Sequence, residues 1–212
     1  MSFLIDFILH IDAHLENIVN TFGNWTYLIV FSIIFIETGA VIMPFLPGDS
    51  LLFAASALAA SPKYNLNIWY FVILFFIASV VGDSLNFYLG KTVGKAMTNH
   101  SFFGRFIKKE NIEKTEAFFE KHGGIAIALA RFMPIIRTLS PFVCGGSGVK
   151  YSSFIKYNLI GATAWVVICC GAGFFFGNIP FVKEHFSMVI IGIIGVSLLP
   201  AIIGAIKSKL SK

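Results

Sequence analysis

The sequence predicts an all-α integral membrane protein, built as an inverted repeat of two opposed re-entrant hairpins plus about three spanning helices and an N-terminal amphipathic helix. Three observations carry that prediction. Hydrophobic residues make up 57% of the 212-residue chain and charged residues only 13%, with a mean hydropathy of +0.82, where a soluble domain carries about 25% charge. Two apolar stretches are interrupted by prolines, glycines and ionisable residues before they are long enough to span a bilayer. Those two stretches also align with each other.

Residues 1–24 read as an interfacial helix. Leu4, Phe7, Ile8, Ile11, Leu15, Ile18, Val19 and Phe22 share one face, and Asp6, His10, His14, Asn17 and Thr21 the other, a pattern that lies on a membrane surface or against a bundle. The start, MSFLIDFILHID, has no basic region and carries acids, so it does not read as a secretory signal.

A single membrane domain is expected over 25–206. Hairpin one, 25–61, is apolar from Trp25 to Met43 except for Glu37, breaks at PFLPGD (Pro44 to Asp49) and resumes as SLLFAASALAA. Eleven helical residues rise about 17 Å, against a hydrocarbon thickness of about 30 Å, so the second arm cannot span. Pro44, Pro47 and Gly48 prevent one continuous helix. Leu66 to Gly90 is a spanning candidate, uncharged until Asp83 near its far end. Lys91 to His122 is polar, with a short amphipathic helix in NIEKTEAFFEKHGG. Hairpin two, 124–149, contains IAIALARFMPIIRTLSPFVCGGSGV, with Arg131 and Arg137 flanking Pro134 and with Pro141, Gly145 and Gly146 as further breaks. Irregular backbone at such depth must be buried in protein or line a wet cavity. Tyr157 to Phe176 and Phe186 to Ile206 supply two more spans, and 207–212 is a basic tail.

Lys and Arg set the orientation. The first 62 residues have none, the central loop has seven and the tail three, which predicts that the central loop and C-terminus are cytoplasmic and that the hairpins enter from opposite faces. At an offset of 90, Met43 to Leu58 aligns with Met133 to Gly148: Met-Pro with Met-Pro, Ser50 with Ser140, Ala55 with Gly145 and Ala57 with Ser147. Each half then has a small-xxx-small pair, Gly90 with Gly94 and Gly173 with Gly177, which permits homo-oligomers without requiring them. Such repeats build transport sites near the midplane from broken helices.

The chemistry sits in five ionisable residues where lipid or bundle core should be: Glu37, Asp49, Asp83, Arg131 and Arg137. An unpaired charge there costs on the order of 3 kcal/mol or more, so they should face one another or water. Two arginines at a hairpin tip present planar forks suited to phosphate. Carboxylates beside them can compete with an anionic ligand and accept a proton when displaced. Arg131 and Arg137 are therefore candidate phosphate ligands, and Glu37 and Asp49 candidate proton-coupling or gating groups. Asp83 is a possible support, at a span end that water reaches, and Asp49 could instead cap the second arm. A purely structural role for the charges remains the alternative reading.

Other classes find no support. Cys144, Cys169 and Cys170 lack metal-ligand spacing and read as small core residues, and His10 with His14 reads as a polar face, so neither a metal nor a cofactor is expected. No nucleophile with a base and orienter is visible, so an enzyme is not expected. The basic balance follows membrane topology and gives no nucleic-acid signal.

At these residues the sequence resembles the DedA family of bacterial inner-membrane proteins, the group sharing the SNARE-associated or VTT domain. FIETGAVIMPFLPGDSLLF, GDSLNFYLGKTVG, EKHGG, ARFMPIIRTLSPFVCGGSG and YNLIGATAW carry the likeness, from about Glu37 to Gly177. The resemblance implies two opposed re-entrant hairpins, a multi-pass protein of the bacterial inner membrane, and a part in envelope homeostasis. For some members it implies translocation of undecaprenyl phosphate or phospholipid. The family's important acidic and arginine positions match Glu37, Asp49, Arg131 and Arg137. The function expected is a lipid-phosphate transporter, with undecaprenyl phosphate as cargo and protons as coupling ion. The alternatives are a phospholipid scramblase, a proton-coupled small-solute antiporter or a non-transporting structural envelope protein.

Overall fold

A computed structural model describes residues 11–39, 48–97, 119, 122–186, 188–193 and 195. Residues 1–10 of the expected N-terminal helix lie outside these. So do Pro44 and Pro47, most of the central polar loop, the last part of the Phe186–Ile206 span and the basic tail. Regular structure among the described residues is helical throughout.

Helix α1 covers Ile11–Phe22. Its apolar stripe faces the bundle: Ile11, Leu15 and Val19 are buried at successive fourth positions, while Asn17 and Thr21 are exposed. Phe22, expected on the same stripe, is instead exposed at the end of α1, where Gly23 takes a left-handed φ of 52° and opens a 3-10 turn, Gly23–Trp25. Helix α2 follows at Thr26–Gly39. It is apolar around its circumference, and two of its hydroxyls bond backward within the helix, Ser32 to the Leu28 carbonyl at 2.8 Å and Thr38 to that of Ile34 at 2.9 Å. That internal satisfaction suits a helix denied water.

Helix α3, Gly48–Ala60, is short and rich in alanine, and apart from Asp49 it is buried from Gly48 to Ala57. Its small side chains let it sit at the centre, packed chiefly on the later helix α7, Tyr151–Phe176. Helix α4 runs Ile68–Met97 and is inside out relative to a soluble helix. Ile73, Ile77, Val81 and Leu85 form an exposed i, i+4 stripe, whereas Ser79, Asp83 and Asn86 are buried. Lipid outside and a polar bundle interior reconcile that arrangement.

Helix α5, Ile125–Ala130, and helix α6, Pro134–Gly146, are separated by a turn at 131–133. Pro134 starts α6, at a position where its missing N–H costs nothing. Pro141 does not break the helix as expected: α6 continues through it. Its lack of an N–H removes one backbone bond, which leaves the Arg137 carbonyl without that donor, while burial of Leu139, Phe142 and Val143 holds the helix together. Gly145 and Gly146 likewise lie inside the end of α6, and Gly145 serves close approach rather than a turn, its Cα facing the Phe87 carbonyl of α4. The turn is made at Gly148, with φ 78°. After α7 come the short helix α8, Pro180–Glu184, and a helical stretch over residues 188–193.

Three helical runs are long and apolar enough to cross a membrane: Ala13–Gly39, Ile68–Thr92 and Tyr151–Phe176. The first joins segments that the sequence divides between a surface helix and a hairpin arm, while Gly48–Ala60 is too short to join them. Packing exchanges partners between the halves. Helix α2 lies on α4 and α5 on α7, but α3 lies on α7 and α6 on α4.

Candidate functional site

The break between α2 and α3 puts Glu37 in the last turn of one helix and Asp49 in the first turn of the next. The break between α5 and α6 puts Arg131 just past one helix and Arg137 near the start of the next. All four therefore sit at or near helix ends beside a break, where side chains of different helices can converge.

They converge as two assemblies rather than one clamp. Arg137 donates from Nη2 to Glu37 Oε1 at 2.7 Å and from Nη1 to Asp49 Oδ1 at 2.9 Å, so a single guanidinium ties both arms of the first break to the second. Arg131 instead donates from Nη2 to Asp83 Oδ2 on α4 and to Asn158 Oδ1 on α7, the latter at 3.0 Å. Asp83 is thus a buried ion-pair partner and not a wet span end. The reason is that α4 continues past Gly90 to Met97, which leaves Asp83 near its middle.

Trp165 of α7 connects the assemblies. Its Nε1–H donates to Asp49 Oδ1 at 2.7 Å, and its ring centroid lies 4.5 Å from the Arg137 guanidinium carbon and 5.5 Å from that of Arg131. Such placement adds cation–π attraction for both cations. Asp49 also lies in the first turn of α3, where an acid complements the helix dipole.

Gly48 is needed for space: its Cα lies against the Glu37 carboxylate, which a Cβ would overlap. Several buried polar atoms lack a hydrogen-bond partner, among them Glu37 Oε2, Arg131 Nη1 and Asn158 Nδ2. Buried polar atoms are ordinarily satisfied, so these set the charged cluster apart from the rest of the interior. The three carboxylates and two guanidiniums sum to one formal negative charge, in a setting where Glu37, Asp83 and Arg131 are each buried.

The sequence reading missed Asn158 and Trp165. Their spacing of seven on an apolar helix places them on one face, along with buried Phe154 and Ala162, and that spacing was the available signal. Of the residues expected as hairpin breaks, Pro134 and Gly48 begin helices, whereas Pro141, Gly145 and Gly146 lie within one. Among the described residues no group of His, Cys, Asp and Glu could hold a metal.

Comparison with known proteins gives a consistent result. The VTT domain family matches residues 46–175. Protein DedA of Escherichia coli K12 is 48% identical over 207 residues, covering 98% of this chain and 94% of that one. An uncharacterized membrane protein of Mycobacterium tuberculosis is 39% identical over 184 residues, 87% of this chain and 80% of that one. Inner membrane protein YghB of Escherichia coli K12 is 29% identical over 211 residues, covering 96% and 92%. No solved structure matches.

Proposed function

The chain belongs to the DedA family of VTT-domain membrane proteins, and on that premise we propose that it carries a lipid phosphate across the bacterial inner membrane. The cargo assigned is undecaprenyl phosphate, returned from the outer to the cytoplasmic leaflet with protons as coupling ion. The observation that carries this reading is the closure of Glu37 and Asp49, from one half of the chain, on Arg137 from the other.

A phosphate that binds Arg137 competes with those carboxylates, each of which already takes an N–H of one terminal nitrogen. The group of five has one negative charge in excess, and an anion adds more. Leaving one partner of a buried ion pair uncompensated costs about 3–5 kcal/mol, so displacement favours proton uptake at Glu37, whose Oε2 has no partner. Arg131, with Nη1 unpartnered beside the same indole, supplies a second donor to the cargo.

Alternating access requires hairpins facing opposite sides, and the helix directions favour that. Tyr27 at the start of α2 meets Tyr70 and Phe71 at the start of α4, while Ala57 late in α3 meets Gly177 past the end of α7. Helix α3 therefore runs back toward the face where α2 began. Helix α3 rises about 20 Å, short of the bilayer, whereas α2 ends the helical run Ala13–Gly39 that is long enough to cross. Gly124, just before α5, lies against Tyr157 early in α7, and Gly145 late in α6 lies against Phe87 and Lys91 late in α4, so the second pair opens to the other face. The exchange of packing partners between halves fits an inverted repeat, with the central loop and C-terminus cytoplasmic.

The test is transport by protein reconstituted in liposomes. Arg137→Ala protein that inserts normally should lose movement of the lipid phosphate, and an undiminished rate overturns the proposal. Movement indifferent to a proton gradient points to a scramblase, and competition among headgroups identifies the cargo. A non-transporting structural protein would move none of them.

A further inference from the structure

Helices α3 and α7 form a seam that runs from Asp49 and Trp165 to Ser61 and Gly177, about 18 Å along each helix. At the end remote from the buried charges lies a cavity of about 250 Å³. Its wall is apolar, made by Ala54, Ala57, Leu58 and Phe186, and its rim is polar, made chiefly by Lys63, Lys183, Glu16 and Tyr64. Glu16 is already engaged: it accepts the Tyr64 hydroxyl at 2.5 Å and lies 3.6 Å from the Lys63 ammonium. Lys183 is exposed and has no ion-pair partner among the described residues. Among the described residues the rim thus carries two ammonium groups against one carboxylate.

The level of the cavity is that of a membrane surface. Trp25, Trp69, Phe175 and Phe181 are all strongly exposed at the ends of helices that meet there, and such aromatic residues collect at the headgroup boundary. A cation-bearing rim above an apolar wall selects an amphiphile, with its anion at the lysines and its first carbons against the wall. The volume suits a headgroup and a short length of chain rather than a whole lipid.

We infer that this cavity is a surface site for the phosphate group of an amphiphile, with Lys63 and Lys183 as the anion ligands and Leu58 and Phe186 as the apolar seat. The site is separate from the buried arginines and its occupancy does not depend on transport.

Binding of dihexanoyl phosphatidic acid and of inorganic phosphate to the full chain in detergent tests the inference. The amphiphile should bind at least tenfold tighter than inorganic phosphate. The Lys63→Gln/Lys183→Gln pair should weaken that site at least tenfold, and Leu58→Trp, which fills the seat, should weaken it as well. Lys150→Gln/Lys156→Gln, the same charge change at the other end of α7, should leave binding unchanged, and Arg137→Ala should retain the lysine-dependent site. Unchanged affinity in the Lys63/Lys183 pair overturns the inference, as does an equal loss in the Lys150/Lys156 pair. Inorganic phosphate binding as tightly as the amphiphile overturns the assignment to a lipid headgroup, and loss of all binding in Arg137→Ala alone places the ligand at the buried site instead.

Discussion

Trp165 donates its indole N–H to Asp49 at 2.7 Å, on the same carboxylate oxygen that accepts Arg137. One side chain of α7 therefore holds the first turn of α3 in place and presents its ring face to the cation that α3 binds. Trp165→Phe keeps an aromatic face and removes the donor. A hydrogen bond to a charged group contributes about 1.5–3 kcal/mol, so the variant should unfold at a lower temperature in detergent. Transport in liposomes should fall as well, since Asp49 loses the donor that α7 supplies. Trp165→Ala, which also removes the ring and leaves a cavity, should be markedly less stable than Trp165→Phe.

The Arg131–Asp83 pair differs from the Arg137 assembly in burial and in partners, and the two should separate under mutation. Asp83→Asn leaves a buried guanidinium uncompensated, at a cost of about 3–5 kcal/mol. The double variant Asp83→Asn/Arg131→Gln removes both charges and keeps neutral amides in their place, so stability should return toward wild type. A double-mutant cycle on thermal unfolding measures the coupling. Coupling below about 0.5 kcal/mol would show that the pair does not hold α4 to the turn after α5.

The membrane class and the four charges at the chain breaks were legible because an ionisable residue inside an apolar run is conspicuous whatever the fold. Their pairing was not legible. Arg137 meets Glu37 and Asp49 across 100 and 88 residues of chain, and which arginine takes which acid depends on how the breaks face one another. Trp165 and Asn158 escaped notice for the opposite reason, since an indole and an amide are unremarkable in a membrane helix until something charged lies beside them. Pro141 misled in a third way. A proline signals the loss of one backbone hydrogen bond, and the burial of Leu139, Phe142 and Val143 around it outweighs that loss.

Glu37 accepts Arg137 on Oε1 and has no partner on Oε2. Glu37→Gln preserves shape and can still accept a hydrogen bond from Arg137, but it cannot take up a proton. The variant should insert and fold normally while losing the acceleration of transport by a proton gradient. Gly48→Ala acts on the same carboxylate from behind, because a Cβ there overlaps it. It should impair transport without altering any charge. Rates measured with and without an imposed gradient check both variants, and an unaltered gradient response in Glu37→Gln removes Glu37 as the coupling group.

Backbone contacts seat the helices exchanged between halves, that of Gly145 on the Phe87 carbonyl among them. Gly90 of α4 lies against the Phe142 carbonyl of α6, and Gly173 of α7 lies against the Phe53 carbonyl of α3, each too close for a Cβ. Backbone cannot move aside as a side-chain tip can, so Gly90→Ala and Gly173→Ala must push whole helices apart, at a cost of about 1–3 kcal/mol or more. Gly171, on the same helix as Gly173, faces open space, and Gly171→Ala should be neutral or slightly stabilising through helix propensity. Thermal unfolding of the three variants checks this directly. Comparable losses for Gly90→Ala and Gly173→Ala follow if the two halves use equivalent contacts, whereas a loss confined to one of them means that only one short helix is seated by backbone contact and that the halves are not held in the same way.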